Sequence, residues 1–175
     1  ADHISVKTAG VERMRIDGTG NVGIGGTAAS GRRLHVYGIT RMEQPATTNS
    51  YQIEFNNPNG EVGSITSSGS ATSYSTSSDY RLKENVDYTF NALDRVAQLK
   101  PARFNFIADA DTTVNGFLAH EVQDIIPEAV TGEKDGEKMQ SMDYGRITPL
   151  LVKAIQEQQT QIEALQSEIN LLKGE

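Results

Sequence analysis

The sequence predicts a chain of mixed class: an N-terminal β-structured region that forms an intertwined oligomer, then an α+β domain ending in one long coiled-coil helix. Three observations lead there: a Gly-rich stretch of short apolar alternations up to about Gly63, a Ser/Thr-rich break, and a heptad of apolar residues at the C-terminal end. Length sets the scale, since 175 residues hold one domain or two small ones. Ala1 in place of an initiator methionine suggests a fragment of something longer.

In the first region Met14 and Ile16, Val22 and Ile24, Leu34 and Val36, and Ile53 and Phe55 alternate with polar neighbours, as strand residues do. Asp17-Gly18, Gly25-Gly26 and Pro58-Asn59-Gly60 separate them with the backbone angles that tight reversals need. So few bulky side chains cannot enclose a core alone, so several chains must share one; the competing reading is a loose Gly-rich tail. Ser64 to Ser78 holds eight Ser and three Thr in fifteen residues, the composition of a flexible linker at a domain boundary.

Beyond the break, Phe90, Leu93, Val96 and Ala97 share a helical face, and Lys100-Pro101 closes that helix because proline disfavours a helical residue before it. Ala102, Phe104 and Phe106 alternate as a strand. Gly116 to Ala119 reads as a second strand, and Glu121 to Ile126 as a helical turn stopped by Pro127. Thr148 suits an N-cap and Pro149 the first helical position. From there Leu151, Ile155, Gln158, Ile162, Leu165, Ile169 and Leu172 recur at spacings of 4 and 3, a coiled-coil seam over about 149–173. Ile at a with Leu at d leans toward two strands, whereas the polar layer at Gln158 can set register and stoichiometry differently; packing of the helix on its own domain is the competing use of this face.

Composition excludes several function classes. Sixteen basic against 23 acidic residues give a net charge of −7, which disfavours nucleic acid and anionic lipid as partners. No apolar run approaches the ~20 residues of a membrane span, so no membrane insertion is expected. With no Cys, and with His3, His35 and His120 far apart, neither a thiol nucleophile nor a metal site is expected. Gly18 to Gly23 fits G-x-G-x-x-G but has neither the strand before it nor the helix after it that present amides to a dinucleotide, so no cofactor is expected and the glycines read as tight turns. His120-Glu121 can form a polar pair near a site, with two ordinary residues as the competing reading.

The remaining chemistry lies in Ser77-Ser78-Asp79-Tyr80-Arg81-Leu82-Lys83. A lysine activates a serine hydroxyl once desolvation or a cationic neighbour such as Arg81 leaves some neutral amine. Five residues apart, however, Ser78 and Lys83 lie about 140° apart on a helix and on opposite faces of a strand. Contact requires a turn or a neighbouring subunit; the plainer alternative is Asp79 capping a turn with Lys83 solvated.

Several motifs in order carry a resemblance: Ser75 to Val86, Asn91 to Asp94, Leu99 to Pro101, Gly116 to Val122 and Asp143 to Ile155. Together they resemble the intramolecular chaperone domain of bacteriophage tail spikes and fibres, also carried by endosialidase tailspikes and by myelin regulatory factor. Asp17 to Gly25 and Arg33 to Val36 resemble repeats of trimeric phage fibres.

The resemblance implies a homotrimer: residues 1–77 as the end of a trimeric shaft of β-prism or β-helix kind, and 78–175 as a chaperone domain with a three-stranded coiled coil. That domain would guide folding of the shaft and then cut itself off at the Ser77–Ser78 bond. Ser78 would be the nucleophile and Lys83 its base; Ser77 is the rival, without Asp79 directly after it. Asp79, Arg81, Arg146, His120 and Glu121 are the supporting candidates, Arg146 equally a structural ion pair, and His120 stands where the family has Gln. The mature fibre would sit on the virion tail and meet a host cell-surface receptor or glycan, while the chaperone stays in the host cytoplasm. The alternatives are a non-catalytic trimerisation module and a carbohydrate-binding tip, the latter without Trp to stack on sugars.

Overall fold

A computed structural model describes residues 3–43, 45 and 47–174. The chain is of mixed α+β class, with four β-sheets among the described residues and a long C-terminal helix. It divides into two compact units, Ala1–Glu84 and Asn85–Glu175.

The first unit contains two sheets. Strands β1 (Ile4–Thr8), β2 (Val11–Ile16), β3 (Val22–Ile24) and β4 (Leu34–Val36) lie side by side in chain order, antiparallel except for the parallel β3–β4 pair. Register aligns two apolar rows across this sheet: Ile4, Ile16, Val22 and Leu34 in one, Val6, Met14, Ile24 and Val36 in the other. Directly paired residues share a face, so all eight side chains project from one side. No hydrophobic side chain among the described residues of this unit is buried, and Ile4 and Leu34 are more than 60% exposed. Among the described residues of its own unit, the sheet thus presents an apolar face that is only partly covered.

The β2–β3 turn is built by Asp17. Its carboxylate accepts from the Thr19 amide (2.9 Å) and hydroxyl (2.7 Å), the Asn21 amide (3.0 Å) and the Asn21 side chain (3.2 Å). Gly20 (φ +82°) supplies the left-handed residue. A Cβ at Gly23 would lie 2.1 Å from the Gly26 carbonyl oxygen, so close backbone approach explains that glycine. A strand, β2, does precede the G-x-G-x-x-G, contrary to expectation, but β3 follows it in place of a helix, and its glycines serve the turn and the close backbone approach.

Those bonds, led by the Thr19 hydroxyl, hold the Asp17 carboxyl down to about 2. Because its folded value is depressed, the contribution of this turn is present above the ordinary Asp value of about 4. It is lost as pH falls from there through about 2. Carboxyl ¹³C titration should give a midpoint near 2 for Asp17, and Thr19→Ala should raise it.

The second sheet corrects the linker reading of Ser64 to Ser78. Strands β5 (Ser50–Asn57), β6 (Gly60–Ser68) and β7 (Ala71–Thr76) form an antiparallel meander that occupies most of that segment. Alternation, β-branched Thr and a left-handed Gly69 (φ +56°) give the Ser/Thr run strand character that its composition hides. Small side chains are required there: Ser64 and Thr66 are buried, and a Cβ on Gly63 would meet the Ser75 carbonyl oxygen at 2.7 Å.

All the described buried hydrophobic residues lie in the second unit: Ala92, Val122, Ile126, Ala129, Ile147, Leu150 and Ala154. Helix α1 (Leu93–Val96) starts after Phe90, which stays outside it. The hairpin β8 (Ala102–Phe106) and β9 (Asp109–Gly116) follows. The second strand therefore ends at Gly116 instead of beginning there; it is polar, with one face in solvent, so apolar patterning did not reveal it. Helix α2 (Ala119–Gln123) begins two residues before the expected turn, and a 3₁₀ turn at Pro127–Ala129 leads into the short pair β10 (Val130–Thr131) and β11 (Ser141–Met142). Ile126 is fully buried, so Ile126→Ala should lower the stability of this unit by about 2–5 kcal/mol in chemical denaturation.

Helix α3 (Thr148–Lys173) has 26 residues, about 39 Å at 1.5 Å per residue. Thr148 is already helical and makes no side-chain cap, contrary to expectation. A 3₁₀ turn at Tyr144–Ile147 runs straight into the helix, and Asp143 caps that turn at the Gly145 amide (2.9 Å). The cap therefore sits five residues upstream of Thr148. The helix has two apolar faces: Leu150 and Ala154 pack into the core, whereas Leu151, Ile155, Ile162, Leu165, Ile169 and Leu172 are 42–88% exposed.

Candidate active site

The site begins where β7 ends. Ser77 continues the strand by donating its amide to the Val62 carbonyl (3.1 Å) and its hydroxyl to the Glu61 carbonyl (2.8 Å), so β6 holds this residue at both groups. The chain then reverses through a 3₁₀ turn, Tyr80–Leu82. Asp79 caps it, accepting from the Arg81 amide (2.9 Å), and takes the Arg81 guanidinium as a fork at 2.9 and 2.8 Å. That fork lowers the Asp79 carboxyl below its usual range, with the Arg81 amide and the Lys83 charge adding to the effect. It raises the Arg81 guanidinium in turn.

Closing the turn brings the two ends together. The Lys83 amide donates to the Tyr80 carbonyl (3.1 Å), and Lys83 Nζ lies 2.8 Å from Ser78 Oγ, donating to it. Of the two geometries a five-residue separation allows, a turn within one chain is the one present. The Asp79 cap of the plainer alternative and the contact between Ser78 and Lys83 occur together in this turn, and Lys83 remains exposed to solvent.

The turn also separates the two serines chemically. Ser77 Oγ donates to a main-chain carbonyl, while Ser78 Oγ faces an amine able to act as a base once neutral. Both Ser78 and Lys83 are exposed. Arg81 supports the turn through Asp79. Glu61 and Val62 went unnoticed in the sequence because they act through carbonyl oxygens, which every residue has.

The other supporting candidates lie in the second unit with local partners. Arg146 Nε is 3.3 Å from Asp143, a structural ion pair on the surface. Glu121 pairs with Lys100 at 3.2 Å, and half-buried His120 lines a groove with both of them and Asp124. Among the described residues no group of three or more His, Asp or Glu is placed to hold a metal ion. None of the described helices is long and apolar enough to cross a membrane.

Long tail fiber protein Gp37 of Enterobacteria phage T2 is 32% identical over 127 residues, 69% of this chain and 9% of that protein. Its counterpart from Enterobacteria phage K3 is 33% identical over 98 residues, 53% of this chain and 8% of its own length. The chain thus spans less than a tenth of the relatives it matches. Residues 78–131 match the family described as chaperone of endosialidase, and the match opens on the serine that the turn presents to Lys83. Residues 78–131 therefore belong to the chaperone-of-endosialidase family.

Proposed function

We propose that the chain is the end of a homotrimeric phage tail fibre whose C-terminal part, 78–175, is an intramolecular chaperone that releases itself at the Ser77–Ser78 bond. One observation carries this reading: the 2.8 Å contact between Lys83 Nζ and Ser78 Oγ at the first residue of the family match. The unit break after Glu84 concerns packing, whereas the proposed covalent break precedes Ser78.

The chemistry needs no other reactant than water. Lys83, neutral, takes the Ser78 hydroxyl proton as Oγ adds to the Ser77 carbonyl carbon through a five-membered ring. The C–N bond then breaks, and the nitrogen receives the proton back from Lys83, leaving a free Ser78 amine and an ester from the Ser77 acyl group to Ser78 Oγ. Water hydrolyses the ester to a Ser77 carboxylate and restores the hydroxyl. Covering the exposed pair with a neighbouring copy favours the neutral amine, so assembly would precede cleavage.

The apolar faces support the chaperone role. The first unit buries no described hydrophobic side chain of its own, and α3 exposes its seam. A coiled coil that gathers three chains turns shaft assembly into an effectively intramolecular event. Removing the register-setting domain afterwards gives the mature fibre kinetic stability. In this reading residues 1–77 stay on the virion tail, where the fibre meets a host receptor or glycan, and the released domain remains in the host cytoplasm.

Mass spectrometry of the expressed chain tests the reading. Two products, one ending at Ser77 and one beginning at Ser78, are expected. An intact chain in a sedimenting trimer would leave only the non-catalytic trimerisation module, and a monomer would remove both.

A further inference from the structure

The two flanks of the α3 seam are built differently. Ile155, Ile162 and Ile169 take the a positions of the heptad, and Leu151, Gln158, Leu165 and Leu172 the d positions. Ala154 then stands at g, Leu150 and Glu157 at c, and Val152 at e. The c and g flank carries the core of its own unit. Leu150 and Ala154 are buried in one cluster with Ala92, Val122 and Ile126. On the same flank the Glu157 carboxylate caps α1, accepting from the Leu93 amide (2.7 Å) and the Ala92 amide (3.1 and 3.2 Å).

The other flank carries a groove of about 740 Å³, with Tyr88, Phe90, Pro149, Val152, Lys153 and Gln156 in its lining. Lys153 holds the groove in shape. Its Nζ donates to the Tyr88 carbonyl (2.9 Å) and lies 5.9 Å from the centre of the Phe90 ring, which ties both aromatic residues to α3. The apolar walls face solvent, with Tyr88 80%, Val152 50% and Phe90 38% exposed. Val152 adjoins Leu151 and Ile155 on the helix surface, so the groove is continuous with the seam.

The charges beside the seam select how copies meet. Glu168 at g and Lys173 at e are the only charged residues at the e and g positions of 149–173. In a parallel, in-register coil each g residue faces the e residue of the following heptad on the next helix, which sets Glu168 beside Lys173 of the next copy. An antiparallel arrangement sets g against g and e against e, and forms no such pair. The parallel rule also puts Val152 opposite Ile147 of the next copy, and Ile147 is buried in the core that the g flank carries.

We infer, resting on the homotrimer proposed above, that the groove of Tyr88, Phe90 and Val152 seats the core-bearing flank of the next copy, three such contacts closing a ring around the coil. The heptad brings the copies together, and the groove gives each pair a second contact outside it.

The chain has no Cys, so one introduced thiol reports cover at one position. The test uses the full chain with Ser78→Ala, which keeps it whole. Gln156→Cys puts the thiol in the groove at a b position, outside the seam and the e flank, and Ser167→Cys puts one at f on the outer face. Maleimide labelling is timed and the same samples are sedimented. In the trimer Gln156→Cys should react at least about tenfold more slowly than in chains separated by Ile162→Asp, whereas Ser167→Cys should react alike in both.

A trimer in which the Gln156→Cys thiol reacts as fast as in separated chains would overturn the inference and leave the homotrimer standing. Protection that persists in separated chains would overturn it as well, because the cover would then belong to the same chain. A parent that sediments as a monomer, or an Ile162→Asp variant that sediments as a trimer, would overturn the coil and this contact together.

Discussion

On the proposed self-cleavage, Ser78→Ala and Lys83→Ala should each leave a single full-length band where the parent chain should give two. The first variant removes the only atom that can form the ester. The second removes the proposed base, and general-base assistance is worth about 10²–10⁴ in rate. Lys83→Arg is the sharper control: it preserves the positive charge and a donor to Ser78 Oγ, but a guanidinium does not give up its proton in a protein. It should therefore keep the turn and abolish processing. Ser77→Ala should still be cut, because that hydroxyl is engaged with the Glu61 carbonyl. Equal processing in Ser78→Ala, Lys83→Ala and the parent would eliminate the dyad whatever the fold.

A charge placed in the seam should separate the chains. Ile162 is 58% exposed in one copy and occupies the middle of the heptad. In a coil, Ile162→Asp puts one carboxylate per chain into a single apolar layer, and an uncompensated buried charge costs about 3–5 kcal/mol. That is a loss of at least about a hundredfold in association. Sedimentation should show smaller species, with refolding yield falling in parallel if the coil gathers the chains. Leu150 and Ala154, on the other face, give a contrast: Leu150→Ala should destabilise the second unit itself by about 2–5 kcal/mol. A variant Ile162→Asp that sediments like the parent would show that this face has another use.

The two predictions depend on different kinds of legibility. The seam could be read directly, because a 3-4 repeat fixes one face of a helix regardless of what surrounds it; all its residues fall within Thr148–Lys173. The strands around Met14, Val22, Leu34 and Ile53 could be read for the same reason, as alternation fixes a sheet face. Composition misled where side chains were small. Serine and threonine suit a solvated linker and a tightly packed meander alike, and only the neighbouring strands select between them.

Residue chemistry and local period by themselves determined the mixed class, the positions of the apolar faces, and the identity of a hydroxyl and an amine five residues apart. They did not determine whether that pair meets. Hydrogen bonds among Asp79, Arg81 and Tyr80 fold the chain back on itself, and the main chain of Glu61 and Val62 holds the residue before it. They likewise gave no sign of Glu157 capping α1 across 65 positions. Most of those contacts have on one side a backbone group, alike in every residue, so their partners are chosen only when the chain is folded and distant segments are brought within hydrogen-bonding reach.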